Sequence, residues 1–502
     1  MFAKDAVIAA LEARVAGLVA HIAELEARLR ADSSNSSRPP SSDGLRKAAR
    51  DGRGSRRGAA GPGRQPGGQP GAPGAWLARV AEPDQVVVHA PERCGGCGAD
   101  LAAAPVVAVE ARQVHDLPPM RLLVTEHRAE RRRCLQAGCG QVTAGLFPDH
   151  VRGPASYGPG LRAVAAYLHA HQHLPYERTA QLLDDVFGAP VSTGTLAAMM
   201  AECAKRLDGF LQTVRAQLVG AEVVNFDETG ARVAGKLHWV HSASTGTLSL
   251  FTVHAKRGTE AMDQAGVLPG FTGVAVHDGW SCYGRYEHVT HARCNAHHLR
   301  ELAGVAEQSD QRAWAEGMAA LLVEASWAVA RAAAAGLDQL DSQRLAHYLR
   351  RYDAIVAEGR RANRPPPSPG GNSNKRKGRR KQSKAANLLD RLDRHRDEVL
   401  RFAVDFRVPF TNNQAERDIR MVKLQQKISG CWRTTRGAER FLAIRSYVST
   451  ARKQGVEVLD ALRQVFASDP WLPSQLGPDP PRAVPPTAAA RTSPPLSGML
   501  PL

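Results

Sequence analysis

Apolar residues at the start of the chain recur in a heptad pattern that predicts a separate helix. Over residues 8–29 they lie three and four positions apart, with Leu at every d position and mostly β-branched residues at the a positions. This choice is typical of a parallel two-stranded coiled coil, although a single helix packed on the protein body has the same pattern. We therefore expect residues 1–31 to form a leucine-zipper-like coiled coil that joins protomers as a homodimer or a higher oligomer.

The segment that follows has too few large apolar side chains to form a core. Residues 32–75 consist mainly of Ser, Pro, Gly and Arg, a composition that predicts disorder. We expect a disordered basic linker over 32–80. Its arginines either contact phosphates without sequence preference or keep a spacer solvated, and both roles stay open.

Shorter patterns then predict two small units. Three apolar runs within a module over 86–147 have the length of strands: 86–89, 106–109 and 122–126. Residues 155–210 contain three helical patterns, and Ser192 or Thr193 stands at the N-cap position of the third. A helix, a turn and a capped helix form the outline of a helix-turn-helix, which any helical bundle shares.

The second half of the chain has the element order of an α/β domain. Three strand patterns follow one another from residue 221 with tight breaks, and a short helix and a further apolar run that ends at Asp278 come next. Residues 300–400 are mostly helical in pattern. We expect an α/β domain over 220–445 with this segment as a helical insertion, then a helical segment over 446–468 and a disordered Pro-rich tail over 469–502.

Charge narrows the class of partner. The chain has 66 Lys and Arg residues against 49 Asp and Glu residues, which gives a net charge of +17. Such a balance indicates a polyanion, first nucleic acid and second an anionic membrane. A run over 359–384 holds ten basic residues and no acid; it is either a solvated loop or a phosphate contact, with the candidate ligands Lys375, Arg376, Lys377, Arg379 and Arg380.

Two further observations concern the compartment. No uncharged apolar stretch is long enough to span a bilayer, and the charged N-terminus is unlike a signal peptide. The eight cysteines do not have the spacing of a disulfide framework. We expect a cytoplasmic protein with no membrane partner.

Four of the cysteines form two close pairs that predict a zinc site. Cys94 and Cys97 enclose two glycines, and Cys134 and Cys139 supply a second pair, so that four thiolates are present for one structural Zn²⁺. A redox function of the first pair is the alternative, but it leaves the second pair unexplained. We expect a small zinc-ribbon-like module.

Three acids form a second candidate site. Asp227 and Asp278 each stand at the end of an apolar strand pattern, where ligand sites gather in α/β sheets. Glu416 lies in the early turns of a helix that Thr411 or Asn412 caps. Carboxylates bind hard divalent cations, and two Mg²⁺ ions, or Mn²⁺, held by these acids could support phosphodiester cleavage.

Several motifs occur in the order found in one family. The stretches "NSSRPPSSD", "DETGARV", "HDGWSCY", "RCNAHHLREL" and "FTNNQAERDIRMVK" together resemble the insertion-sequence-66 family of bacterial transposases, from the heptads to about residue 465. The resemblance implies an RNase H-like core with a DDE triad and a helical insertion before the Glu. The triad falls on Asp227, Asp278 and Glu416.

The resemblance also implies a function. We expect a transposase that hydrolyses DNA at the ends of its element and transfers the freed strands into target DNA, associated with the nucleoid while it acts. Proteins of the same element are possible further partners. A catalytically inactive or repurposed DNA-binding protein is the alternative, and a metal-dependent nuclease without strand transfer is another.

Residues near the three acids complete the prediction. Side chains alternate along a strand, so Glu228 is expected to face away from Asp227. Cys294, His297 and His298 form either a zinc site or local architecture beside the acids, together with Arg300, Asn412 and Asn413. Basic residues in and after the Glu416 helix are candidate DNA ligands: Arg420, Lys423, Lys427 and Arg433.

Overall fold

The computed structural model of the protein describes residues 77–118, 120–148, 151, 153–308, 310–363 and 382–474, with four isolated residues near the start. Two of these four, Val15 and Leu18, are helical and exposed. The rest of the heptad pattern lies outside the described residues. So do most of the predicted linker, the tail from residue 475, and the five basic residues Lys375, Arg376, Lys377, Arg379 and Arg380.

The module over 86–147 has less regular structure than its apolar runs predict. Its strands are β1 (Arg131–Arg133) and β2 (Val142–Ala144), which pair antiparallel. In the described structure the runs 86–89, 106–109 and 122–126 form no strand, and Val107 and Leu123 are more than 90% exposed. The strand prediction for these runs is wrong, because a strand needs a neighbouring chain for its backbone hydrogen bonds and none is placed beside them.

A five-stranded sheet forms the centre of the second half. Its order is β5-β4-β3-β6-β7; β4 pairs antiparallel with both β5 and β3, and β6 and β7 run parallel to β3. The strands are β3 (Val223–Val233), β4 (Lys236–Ser244), β5 (Ser249–His254), β6 (Val274–His277) and β7 (Thr290–Arg293). Ala234 and Gly235, both with positive φ, form the two-residue turn between β3 and β4, the conformation that suits a tight hairpin.

Helices surround the sheet. Before the sheet come α1 (Pro159–Ala166), which continues as a π-helical turn over Tyr167–His171, α2 (Tyr176–Phe187), α3 (Thr193–Arg206) and α4 (Asp208–Val219). The α5 helix (Thr259–Ala265) joins β5 to β6. After β7 come α6 (Asn295–Ala306), α7 (Arg312–Ala334), α8 (Ser342–Ala362), α9 (Lys384–Arg394), α10 (Arg396–Val399), α11 (Arg401–Val404), α12 (Asn413–Ser429), α13 (Thr435–Lys453) and α14 (Val458–Phe466).

The sheet lies between two hydrophobic cores. Alternate residues of β6 take part in different cores: Ala275 belongs to the first, with helices α1–α4, α13 and α14, whereas Val274 and Val276 belong to the second, with helices of the segment between α6 and α11. This division follows from the opposite orientation of successive strand residues. The helical insertion thus covers one face of the sheet.

The predicted helix-turn-helix segment is part of the first core. Ser192 caps α3, since its Oγ accepts the N–H of Thr195 at 3.1 Å. The apolar face of α3, including Met199 and Met200, is buried against other helices. The helices of 155–210 therefore pack with the sheet as one body, and the boundary expected at residue 445 lies inside α13.

The α7 helix is the one helix in the described part of the chain that is long and apolar enough to span a membrane. Its Trp314, Met318 and Leu322 are buried in the second core. These contacts are those of an ordinary core helix.

Candidate active site

Asp227 and Glu228 lie on opposite faces of β3. Asn225 shares the face of Asp227, and its side chain donates to Asn412 Oδ1 at 2.8 Å at the start of α12. Glu228 shares the other face with Phe226; the Tyr283 ring packs near Phe226, and the Tyr283 hydroxyl donates to Glu228 Oε2 at 2.8 Å. The two neighbouring acids therefore have different surroundings.

Asp227 is a buried acid whose pKa is raised by burial and by the charges of three other carboxylates. Burial raises its pKa well above the ordinary value, and the charges of Glu228, Glu416 and Asp278 raise it further. Its Oδ1 accepts the N–H of Glu228 at 2.9 Å, which offsets part of the effect. Because charges act in this way only at short range, the other three carboxylates lie close to Asp227.

Asp278 comes directly after β6 in a turn that needs glycine. Its Oδ1 accepts the N–H of Trp280 at 2.8 Å. Gly279 has a φ of +87°, and a Cβ placed on it would lie 2.7 Å from the Arg293 guanidinium. Any larger residue at 279 would therefore disturb the position of Asp278.

Glu416 lies in the first turn of α12, and a buried asparagine fixes this helix to the sheet. Asn412 donates through Nδ2 to Phe226 O at 2.7 Å and accepts from Asn225 through Oδ1. Its backbone N–H donates to Cys294 Sγ at 3.1 Å. Asn412 thus connects three segments: β3, the start of α12 and the residue that precedes α6.

Two cationic or titratable side chains approach Glu416 without hydrogen-bonding to it. Oε1 of Glu416 lies 3.7 Å from His297 Nδ1 and 3.8 Å from Arg300 Nη2. Burial and the Arg300 charge lower the pKa of His297, whereas Glu416 and Asp278 act in the opposite direction. Of the residues predicted to lie near the acids, His297 and Arg300 therefore lie beside Glu416.

Arg257 is a residue of this site that the sequence reasoning missed. Its Nε and Nη2 donate to Glu228 Oε1 at 2.9 and 2.5 Å, and Nη2 lies 3.7 Å from Asp278 Oδ2. The guanidinium stands over the rings of Trp239 and Trp280, 4.9 and 4.0 Å from their centroids. Arg257 follows β5, two strands away from β3 in the sheet, and no local pattern marks it.

Glu228 is held by Arg257 although it is almost fully buried. Burial raises its pKa to about 7, with Asp278 adding to the rise and Arg257 opposing it. Glu228 holds the Arg257 side chain, and the same guanidinium lies near Asp278. Glu228 therefore helps to position Asp278 through Arg257, although it lies on the face of β3 opposite to Asp227.

The remaining predicted residues fall into two groups. His298 is buried, and its Nδ1 lies 3.1 Å from Asn295 Oδ1, so it serves the packing of α6. Lys423 donates to Gly230 O at 2.6 Å and thereby fastens α12 to β3. The side chains of Arg420, Lys427 and Arg433 are exposed, and Asn413, the first residue of α12, is half-buried.

Each cysteine pair of the small module lies in a tight turn. A glycine with positive φ follows the second cysteine of both pairs, Gly98 after Cys97 and Gly140 after Cys139. Hydrogen bonds to the sulfurs, first from backbone N–H groups, lower the pKa of Cys94 and of Cys139, and this favours the thiolate form that zinc binds. Within the described residues the two pairs do not form one four-cysteine cluster.

Comparisons with known families decide the identity. Residues 154–440, more than half of the chain, match the family model described as "Transposase IS66 family". The chain belongs to the IS66 transposase family. Residues 91–136 of this transposase match the zinc-finger binding domain of transposase IS66, and residues 3–77 match a family of unknown function.

The matches confirm the resemblance seen in the motifs. This chain is a transposase, DNA is its partner, and its small module is a zinc finger with a structural Zn²⁺. The zinc-finger match includes Cys94, Cys97 and Cys134 and ends before Cys139. No curated protein matches the chain.

Proposed function

We propose that this transposase cuts DNA at the ends of its element and transfers the freed strands into target DNA, with Asp227, Asp278 and Glu416 as the metal-binding catalytic triad. One observation carries the proposal: Asp278, from the end of β6, and Glu416, from α12, lie close enough to the buried Asp227 of β3 for their charges to act on it. Acids gathered in this way in a DNA-acting protein favour phosphodiester chemistry.

The sheet supports the same proposal. Three antiparallel strands followed by two strands parallel to the first, in the order β5-β4-β3-β6-β7, agree with an RNase H-like core. In such a sheet Asp227 on β3 and Asp278 after β6 come from adjacent parallel strands. The helices between β7 and α12 then correspond to the insertion expected before the Glu of the triad.

The donor set fits hard divalent cations. Asp227, Asp278 and Glu416 offer carboxylate oxygens, and Oε1 of Glu416 is buried without a hydrogen-bond partner. Two Mg²⁺ or Mn²⁺ ions would supply Lewis acidity that activates the attacking oxygen and neutralises the leaving one. Such cations would also relieve the repulsion that raises the pKa of Asp227.

The other side chains position these acids. Arg257 links Glu228 to Asp278, and Asn412 fixes the start of α12 against β3, so that Glu416 is set relative to Asp227. Near Glu416, Arg300 adds positive charge on the side of α6. The exposed basic residues of α12 and of the loop after it are expected to contact the phosphate backbone: Arg420, Lys427 and Arg433.

Three features of the biological unit belong to the same proposal. The coiled coil over 1–31 would pair protomers so that two element ends are held together. Accessory proteins of the same element are further candidate partners. The enzyme would act in the cytoplasm, on nucleoid DNA.

Cleavage of a labelled element end in the presence of Mg²⁺ or Mn²⁺ tests the proposal. Asp227→Asn, Asp278→Asn and Glu416→Gln should each abolish cleavage while end binding stays unchanged. The matched control is Glu222→Gln, an exposed acid just before β3 whose partner is Arg407, and it should cut normally. A wild-type chain that binds ends but never cuts them, or an Asp227→Asn variant that cuts like the wild type, would refute the triad.

Product analysis separates transposition from simple hydrolysis. A transposase yields strands joined to target DNA, whereas a nuclease yields only cut ends. Absence of joined products under conditions that support cutting would leave a metal-dependent nuclease as the function.

A further inference from the structure

Cys294 and His297, two ligand-type side chains beside Glu416, have no place in the chemistry proposed above. Cys294 ends the loop before α6, and His297 lies in the first turn of that helix. Both lie beside Glu416 of α12. One ligand atom from each of the three residues, Sγ, an imidazole nitrogen and a carboxylate oxygen, lies within 4.8 Å of the other two.

Two of the three donor atoms in this group have no hydrogen bond. His297 Nδ1 and Glu416 Oε1 are buried atoms 3.7 Å apart, and neither has a hydrogen-bond partner. Buried polar atoms are nearly always satisfied, so two unsatisfied atoms that face each other indicate a missing ligand. A distance of 3.7 Å is also close to the separation of two donors bound to one tetrahedral cation with bonds of about 2.0 to 2.1 Å.

The third donor is a buried thiol whose pKa is raised by burial, so it becomes a thiolate only when a cation displaces its proton. Cys294 is buried, and its Sγ accepts the backbone N–H of Asn412 at 3.1 Å. Because Cys294 directly precedes α6, its sulfur also lies at the end of a helix where negative charge is favoured. Binding of a cation would displace the thiol proton to solvent.

The chemistry of the donors selects the class of cation. Mg²⁺ requires oxygen ligands and rarely binds sulfur or imidazole. A thiolate, an imidazole and a carboxylate suit Zn²⁺ and related transition metals, and three protein ligands leave a fourth position for water. We propose that Cys294, His297 and Glu416 form a further cation site, selective for zinc-like metals, that shares Glu416 with the acidic triad.

Sharing one carboxylate has a consequence for regulation. An ion held by Cys294 and His297 draws Glu416 toward α6, away from Asp227 and Asp278. Excess zinc would then inhibit cleavage that depends on Mg²⁺. This consequence rests on the proposed function, whereas the binding of the ion does not.

Cobalt titration of the full chain tests the site, since Co²⁺ replaces zinc and absorbs characteristically when a thiolate binds it. One equivalent of Zn²⁺ per chain is added first, so that the zinc finger, which has more cysteine ligands, is filled and the proposed site is left for Co²⁺. The wild type should bind one additional Co²⁺ with a thiolate charge-transfer band. His297→Gln should weaken this binding at least about tenfold, the smallest loss seen when a metal site loses even an indirect partner, and Cys294→Ser should remove the band.

The matched control is Cys203→Ser, which changes another fully buried cysteine, in α3 of the first core. It should leave the band and the affinity unchanged, and circular dichroism of all variants checks their folding. If Cys294→Ser fails to fold, the affinity of His297→Gln for Co²⁺ decides. That variant retains Cys294, and it replaces a side chain that is only partly buried. A wild type with no additional band, or a band that survives both substitutions, would overturn the site.

A second measurement keeps the two proposals apart. Cobalt binding is measured without DNA, so it can succeed or fail whether or not the chain cuts DNA. If the ion binds but zinc does not inhibit cleavage supported by Mg²⁺, the inhibitory consequence is wrong and the site stands. If the chain never cuts DNA, the proposed function fails, and the titration alone decides about the site.

Discussion

Replacement of Glu228 by Gln should remove a pH dependence of the stability of the metal-free protein. The Glu228 side chain is 1% exposed, so solvent screening does not reduce the effect much. Its pKa rises from 4.5 to about 7 in the folded chain. At about 1.4 kcal/mol for each pKa unit, this rise corresponds to a change of about 3 kcal/mol in the free energy of unfolding.

The sign follows from the direction of the change. The folded protein holds the Glu228 proton more tightly than the unfolded chain, so the contribution is fully present below about pH 4.5 and is lost as the pH rises through about 7. Between about pH 5 and about 8 the wild type should lose about 2.5 kcal/mol that the Gln variant does not lose. The amide keeps a hydrogen-bond acceptor for Arg257 or Tyr283 but cannot ionise.

Urea unfolding of both proteins over this pH range, without added divalent cations, measures the difference. Trp239 and Trp280 flank Arg257 and report on this region by fluorescence. Glu222→Gln is the control, because Glu222 is half exposed on the same segment, and its curve should run parallel to that of the wild type. If the curve of Glu228→Gln also runs parallel to the wild type, the buried, repelled carboxylate inferred for Glu228 is wrong.

Three further predictions concern the same region. Asp227→Asn should raise the melting temperature of the metal-free protein, because the amide ends the repulsion with the other acids, and it should abolish the additional rise caused by Mg²⁺; thermal unfolding with and without Mg²⁺ checks both. Arg257→Gln leaves Glu228 buried without its cation and should cost about 3 kcal/mol in urea unfolding, a cost that shrinks below about pH 7. Asn412→Ala leaves two buried groups of β3 without partners and should cost about 2 kcal/mol, with a fall in cleavage that Asn412→Gln does not restore.

The order of elements and the positions of two acids follow from local patterns in the sequence. The apolar run before Asp278 correctly predicts a strand end there. The strand end predicted at Asp227 is wrong, because β3 continues to Val233 through its pairing with β4. Strand alternation correctly predicts that Glu228 faces away from Asp227. These features depend on residues that are neighbours in the chain. The structure has the predicted strand and helix order between residues 221 and 278.

Contacts between distant parts of the chain could not be predicted in this way. Arg257 meets Glu228 across 29 residues, and Cys294 meets Asn412 across 118. Periodicity says which face of an element is apolar, but it does not say which element covers that face. The same limit explains α3, whose apolar side packs into the shared core, so that its pattern fits a helical bundle as well as a helix-turn-helix.

The distribution of cations among the four acids shows where positive charge is lacking. Arg257 serves Glu228 and reaches Asp278, and Arg300 approaches Glu416. In the described part of the chain no ion pair reaches Asp227, although burial and three carboxylates all disfavour its charged form. A buried acid in such surroundings must either keep its proton or gain a cation. Arginines thus pair with the outer acids but not with the central one. On the proposed function the missing positive charge at Asp227 is supplied by Mg²⁺, and the effect of Mg²⁺ on stability should then depend on Asp227 above all.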